Sequence, residues 1–212
     1  MVADALEAVG VSRVLTMDLH SAPVQGFFHV PVDNLYALPV FTRTIRELVA
    51  SETITRPVLV APDAGSATLA RHFQHRLKEY GAGLALGEKV RPHQGEESAA
   101  TALLGDVRGR DAILVDDIIF TGGTLCNMAE RIMAEGARSV RALATHALLT
   151  GNAVECILAS PIAELLVTDT VPVSAEKSAA LGPRLRQVSV APLFAEAIRS
   201  VHEKTSVGRL FN

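Results

Sequence analysis

Tryptophan is absent from the 212-residue sequence, and with two tyrosines and seven phenylalanines the aromatics reach only 4%. That scarcity argues against a stacking platform for single-stranded nucleic acid. Basic residues are in deficit, 20 Lys and Arg against 23 Asp and Glu, giving a net charge of -3. A protein held by charge to nucleic acid or an anionic membrane is usually basic, so neither partner is expected. No uninterrupted apolar run reaches the ~18–20 residues of a membrane span. The opening MVADALEAVG has no basic segment ahead of an apolar one, unlike a secretory leader. Two cysteines, Cys126 and Cys156, do not make a disulfide framework, and a reducing cytoplasm is the expected setting. What is plentiful is apolar: 49% hydrophobic residues suffice for a core in one large or two small domains.

Short aliphatic runs alternate with longer helical patterns. Arg13–Met17, Pro57–Ala61, Ala112–Val115, Ser139–Ala144 and Glu164–Val167 are too short for helices and do not alternate, as expected of strands covered on both faces. Between them, 42–50, 66–80, 124–135 and 192–202 carry apolar residues at three- and four-residue spacing, with Gly81 and Gly136 as stops. The alternation predicts an α/β fold, a mostly parallel sheet with helices on both faces. The polar stretch GEKVRPHQGEES, 87–98, reads as a mobile loop or β-flap. Polar and acidic groups follow the strands: Asp18 and His20, Asp63, Asp116 and Asp117, Asp169. Ligands of open parallel sheets bind at the carboxyl ends of strands, so these groups are candidates for one cleft.

The segment AILVDDIIFTGGT, 112–124, carries the clearest chemistry. An apolar strand delivers two adjacent carboxylates, which repel unless a cation or hydroxyls compensate. Thr121-Gly122-Gly123-Thr124 then opens a helix. Glycine admits an anion close to the backbone, and the helix start offers unpaired N–H groups. Together they describe a phosphate cradle beside a clamp for sugar hydroxyls or a hard cation. A Walker A loop is excluded, because no Gly-Lys-Ser/Thr follows.

VDDIIFTGGT resembles the phosphoribosyl-diphosphate motif of type I phosphoribosyltransferases. RVLTMDLHSAPVQGFFHVPVDNLYALPVF, APDAGS, EKVRP, ATHALLTGNA and LLVTDTVP, in that order, resemble ribose-phosphate diphosphokinase from Val2 to Phe211. That family moves the diphosphoryl group of ATP to ribose 5-phosphate, giving phosphoribosyl diphosphate and AMP. The resemblance implies a type I phosphoribosyltransferase-like fold, Mg2+ as cofactor, ATP and ribose 5-phosphate as partners, a cytoplasmic location and a homo-oligomer. Thr121, Gly122, Gly123 and Thr124 would cradle the 5-phosphate, and Asp116 and Asp117 would hold the ribose hydroxyls, partly through Mg2+. Asp63, Ala64, Gly65 and Ser66 would bind the ATP phosphates, and His20 and Asp63 their Mg2+. Lys89 and Arg91 match the catalytic loop cations, and on an extended strand both would face the same way.

The match also breaks. Phe120 replaces a usual acid, Gly65-Ser66 replaces Gly-Gly, and Lys89-Val90-Arg91 lacks a middle basic residue. The family's first lobe is represented only by its closing part. The expected organisation is therefore a first-lobe remnant over 1–36, a phosphoribosyltransferase-type domain over 37–195, and a segment over 196–212 packing back on the remnant. Two functions follow from these features: a shortened catalytic diphosphokinase, or a non-catalytic homologue that binds sugar phosphate or nucleotide and regulates a full-length enzyme.

Overall fold

The structure, a computed structural model, describes residues 2–89 and 101–211. The chain forms two compact units, one from residues 1–39 with 190–212 and the other from 40–189.

In the first unit, α1 (Val2–Ala8) precedes β1 (Val14–Met17), which pairs in parallel with β2 (Val32–Leu35). Beyond β1, the Asp18 carboxylate accepts the amide of Ala37 at 3.0 Å, and Asp18 takes a left-handed φ of 41°. Asp18 is buried, so this acid tethers the end of β2. At the other end of the chain, α7 (Ala191–His202) and a short helical turn at Val207–Phe211 complete the unit. The rings of Tyr36 and Phe211 meet edge to face at 5.5 Å.

In the second unit, α2 (Leu38–Ala50, its first two residues belonging to the first unit) leads to a seven-stranded sheet. The strands are β3 (Pro57–Ala61), β4 (Gly83–Lys89), β5 (Thr101–Leu104), β6 (Asp111–Ile119), β7 (Ser139–Ala147), β8 (Ile162–Thr168) and β9 (Leu185–Val188). Their spatial order is β5-β4-β3-β6-β7-β8-β9, and only the β4–β5 pair is antiparallel. The intervening helices are α3 (Ala67–Arg76), α4 (Gly123–Ala134), α5 (Ala153–Ala159) and α6 (Ala175–Leu181). Val60, Ala112, Leu114 and Ala142 on one face of the sheet share a core with Met128 and Ile132 of α4 and Ile157 of α5. Leu59, Ile113 and Leu143 are equally buried, and the rings of Phe41 in α2 and Phe73 in α3 pack together. This is the α/β architecture expected from the buried aliphatic runs. Among the described residues no helix is long and apolar enough to cross a membrane.

The sheet changes direction of growth between β3 and β6. From β3 the chain runs outward to β4, and from β6 it runs the opposite way to β7. A crevice opens at the carboxyl ends of strands at such a point. β6 also outruns β3. Pairing between them stops at Val60 and Leu114, whereas pairing with β7 continues to Ile119 and Ala147. The sequence suggested that the strand ends where Asp116 begins. Instead β7 supplies backbone partners past that point, and Asp116 and Asp117 lie inside β6, bordering the gap left by β3.

Candidate functional site

The loop after β3 and the end of β6 bring Asp63, Ser66 and Asp116 together. The Ser66 hydroxyl reaches Asp116 Oδ1 at 3.2 Å and Asp63 Oδ1 at 3.4 Å. A serine hydroxyl has one proton to donate, so two carboxylates share a single donor. Asp63 Oδ1 also accepts the amides of Gly65 at 3.0 Å and Ser66 at 3.3 Å, which folds the 63–66 loop around its own carboxylate. Ala64 and Gly65 are exposed in this loop, whereas Ser66 is buried against the head of α3.

Asp116 is poorly compensated. Burial pushes its carboxyl up first, and repulsion from Asp117 and Asp63 adds to that. The Asp117 amide, donating to Asp116 Oδ1 at 3.0 Å, and the Ser66 hydroxyl oppose the rise, leaving it at about 6. At neutral pH this carboxylate carries a charge its surroundings disfavour, the condition that a cation or hydroxyl donors relieve.

Beyond β6 the chain turns through Phe120 to Thr124 into α4. Gly122 is buried with φ of 73°, a left-handed conformation that costs other residues about 1–2 kcal/mol. The N-cap position of α4 is Gly122, which has no side chain to cap the helix, and the Cys126 amide donates to the Gly122 carbonyl at 2.9 Å. The loop after β7 supports the turn from behind. The amides of Leu148 and Leu149 donate to the Ile119 carbonyl, and that of Thr150 donates to Phe120 at 2.8 Å. Phe120 itself is half exposed. Uncapped amides at a helix start beside exposed Thr121 suit an anion.

Two features of the site were not legible in the sequence. The first is the Ser66 link to Asp116, formed between residues far apart in the chain. The second is Gly87 near the end of β4. A Cβ there would lie 2.6 Å from the Pro62 carbonyl oxygen and 2.0 Å from Met128 Cε. Only glycine lets β4 approach the 62–66 loop so closely. Two residues on, the backbone of Lys89 closes β4 opposite Thr101. Arg91, and with it the greater part of the expected flap over 87–98, lies outside the described residues. His20 belongs to the first unit, exposed just beyond β1. Asp169 is exposed at the end of β8.

Among the described residues, no three His, Cys, Asp or Glu side chains converge to hold a metal ion by themselves. Mg2+ does not require such a cage, because it commonly takes one or two carboxylates and completes its shell with water and substrate phosphates. The Asp63–Ser66–Asp116 group, hard oxygens short of positive charge, fits that partial role.

A mostly parallel sheet with a carboxylate cluster and a glycine turn at its switch point is the phosphoribosyltransferase type of α/β fold. The family model for the phosphoribosyl synthetase-associated domain matches residues 88–212. The chain belongs to the phosphoribosyl synthetase family. It is 43% identical to the ribose-phosphate pyrophosphokinases of Granulibacter bethesdensis and Caldanaerobacter subterraneus, over its whole length and 66% and 64% of theirs. It therefore spans just under two thirds of these curated relatives. A crystal structure of phosphoribosylpyrophosphate synthetase from Mycobacterium smegmatis superposes with a TM-score of 0.81 at 34% identity, covering 96% of this chain and 63% of that one.

Proposed function

We propose that the chain carries out ribose-phosphate diphosphokinase chemistry: transfer of the diphosphoryl group of ATP to the anomeric hydroxyl of ribose 5-phosphate, giving phosphoribosyl diphosphate and AMP. The observation that carries this reading is the under-compensated Asp116, joined through Ser66 to Asp63 at the switch point and followed on its own strand by the Thr121–Thr124 turn.

In this reading the amides and hydroxyls of Thr121–Thr124 hold the 5-phosphate, and Asp116 and Asp117 accept hydrogen bonds from the ribose hydroxyls. An incoming polyphosphate competes with the Asp63 carboxylate for the Gly65 and Ser66 amides, and Ser66 is free to turn its proton to a phosphate oxygen. Bound Mg2+ would neutralise charge spreading over the transferred group, with Asp63 and Asp116 as its protein ligands. The chain's own work is alignment of two substrates held at neighbouring strand ends. The roles of His20, Lys89 and Arg91 rest on the sequence resemblance alone.

The test is to mix the protein with Mg2+, ATP and ribose 5-phosphate and follow AMP and phosphoribosyl diphosphate by chromatography. Stoichiometric formation of both supports the reading. A folded protein that binds ribose 5-phosphate yet forms no AMP supports the non-catalytic alternative. Absence of ribose 5-phosphate binding refutes the catalytic reading, and absence of nucleotide binding as well refutes both.

A further inference from the structure

Past the end of β1, side chains take over from ladder bonds in holding the chain to β2. The Asp18 amide donates to the Leu35 carbonyl at 2.9 Å, continuing the β1–β2 ladder. Asp18 then turns left-handed, and the path leaves the sheet. Leu19 is half-buried, so its amide needs another acceptor. Asn34 of β2 supplies it. Its Oδ1 accepts the Leu19 amide at 3.3 Å and the hydroxyl of Thr16, its cross-strand partner, at 3.1 Å. With the Asp18 carboxylate accepting the Ala37 amide, both residues just ahead of His20 are tied to β2 and the chain that follows it.

The two bonds to Asn34 differ in reach. That from Thr16 joins strand to strand inside the pair. That from Leu19 fixes the residue next to the exposed His20. Imidazole is a weak ligand for a hard cation such as Mg2+, which favours oxygen. A contact with so little affinity of its own depends on the ring being held in place beforehand.

We propose that Asn34 is a positioning residue for His20: its side-chain carbonyl holds the Asp18–His20 turn so that the imidazole meets the magnesium ion carried by a nucleoside triphosphate. The inference rests on the reading in which His20 contacts that ion. It adds that the contact depends on a side chain of the neighbouring strand, which acts through the Leu19 amide. Loss of the Asn34 carbonyl frees the turn beyond Asp18, whereas loss of the Thr16 hydroxyl leaves the Leu19 bond in place.

The experiment titrates the whole protein with α,β-methylene-ATP, in which the bond to be broken is blocked, by calorimetry with Mg2+ and again in chelator. With Mg2+, Asn34→Leu should weaken binding by about tenfold, as His20→Ala does, and in chelator both should bind like the parent. Asn34→Asp, which keeps an acceptor for the Leu19 amide, should restore the magnesium-dependent binding. Thr16→Val should match the parent. If Asn34→Leu does not fold, Asn34→Ala takes its place. Magnesium-dependent binding that survives in the Asn34 variant, is lost equally in Thr16→Val, or is not restored by Asn34→Asp would each overturn the proposal. If His20→Ala leaves that binding intact, the role of His20 itself fails and the proposal falls with it.

Discussion

The unfavourable charge on Asp116 makes its removal stabilising. Asp116→Asn keeps Oδ1 as acceptor for the Ser66 hydroxyl and the Asp117 amide while deleting the negative charge. Moving a carboxyl from 3.8 to about 6 costs the folded state about 3 kcal/mol once it is ionised. Partial solvent access screens some of that, so the variant should gain about 1.5–3 kcal/mol at about pH 8. The sign over pH follows from the raised value. Below 3.8 the carboxyl is protonated both folded and unfolded, and no penalty exists. Between 3.8 and about 6 only the unfolded chain ionises, so the penalty grows, and above about 6 it is constant. Urea unfolding of parent and variant, followed by circular dichroism in chelator across about pH 4–8, reads this directly. The stability gap should open with rising pH and level off. A gap that is constant across the range, or a variant less stable at about pH 8, would refute the claim that Asp116 is an under-compensated charge.

Three further outcomes are expected. Asp111→Asn should lose about 2–4 kcal/mol at neutral pH in the same unfolding measurement, because it removes the charge of a buried, multiply bonded carboxylate from its pair with the half-exposed Arg138. The stabilisation from Asp111 is fully present above 3.8 and fades as pH falls through its lower folded-state value. Gly87→Ala should cost about 1–3 kcal/mol in thermal or urea unfolding, since Met128 can swing aside but the Pro62 carbonyl cannot. If the transfer reaction is found, Lys89→Ala should lower kcat by about 10²–10³-fold with little change in KM, and equal losses in both would contradict a role confined to the transition state.

Legibility in the sequence followed how local each signal was. Pro57–Ala61 is read correctly to the residue because five consecutive buried aliphatic positions admit little else. Strands β2 and β9, VDNL and LRQV, carry polar residues and mixed burial, so no run announces them. The helix expected over 66–80 breaks at Leu77 into a short turn at Lys78–Tyr80 before Gly81, whose φ of 66° ends it. Within the site, adjacent acids and a Thr-Gly-Gly-Thr turn are chemistry written in neighbouring letters. The Ser66–Asp116 hydroxyl link and the Gly87–Pro62 approach are products of strand order, which no local window contains.

The two ends of β6 show how the sheet sustains an unfavourable site. Asp111 opens the strand almost wholly buried and accepts from the Arg138 guanidinium, the Ser139 hydroxyl at 2.7 Å, and the amides of Thr55 and Arg56. Burial alone would raise its carboxyl, but these donors together outweigh burial and hold it below the ordinary carboxylate range. Asp116, five positions along, has one amide and a shared hydroxyl against two neighbouring anions. The same residue type on the same strand is thus satisfied at one end and left short at the other, with fully buried Ala112–Val115 between them. Burial is common to both, so the contrast comes from the donors each end recruits. The β3 end turns away before it can supply any to Asp116 other than Ser66. A strand anchored this firmly at its start can hold the Asp116 carboxylate in place with few donors, as the proposed ligand, carrying its own hydroxyls and cation, would require.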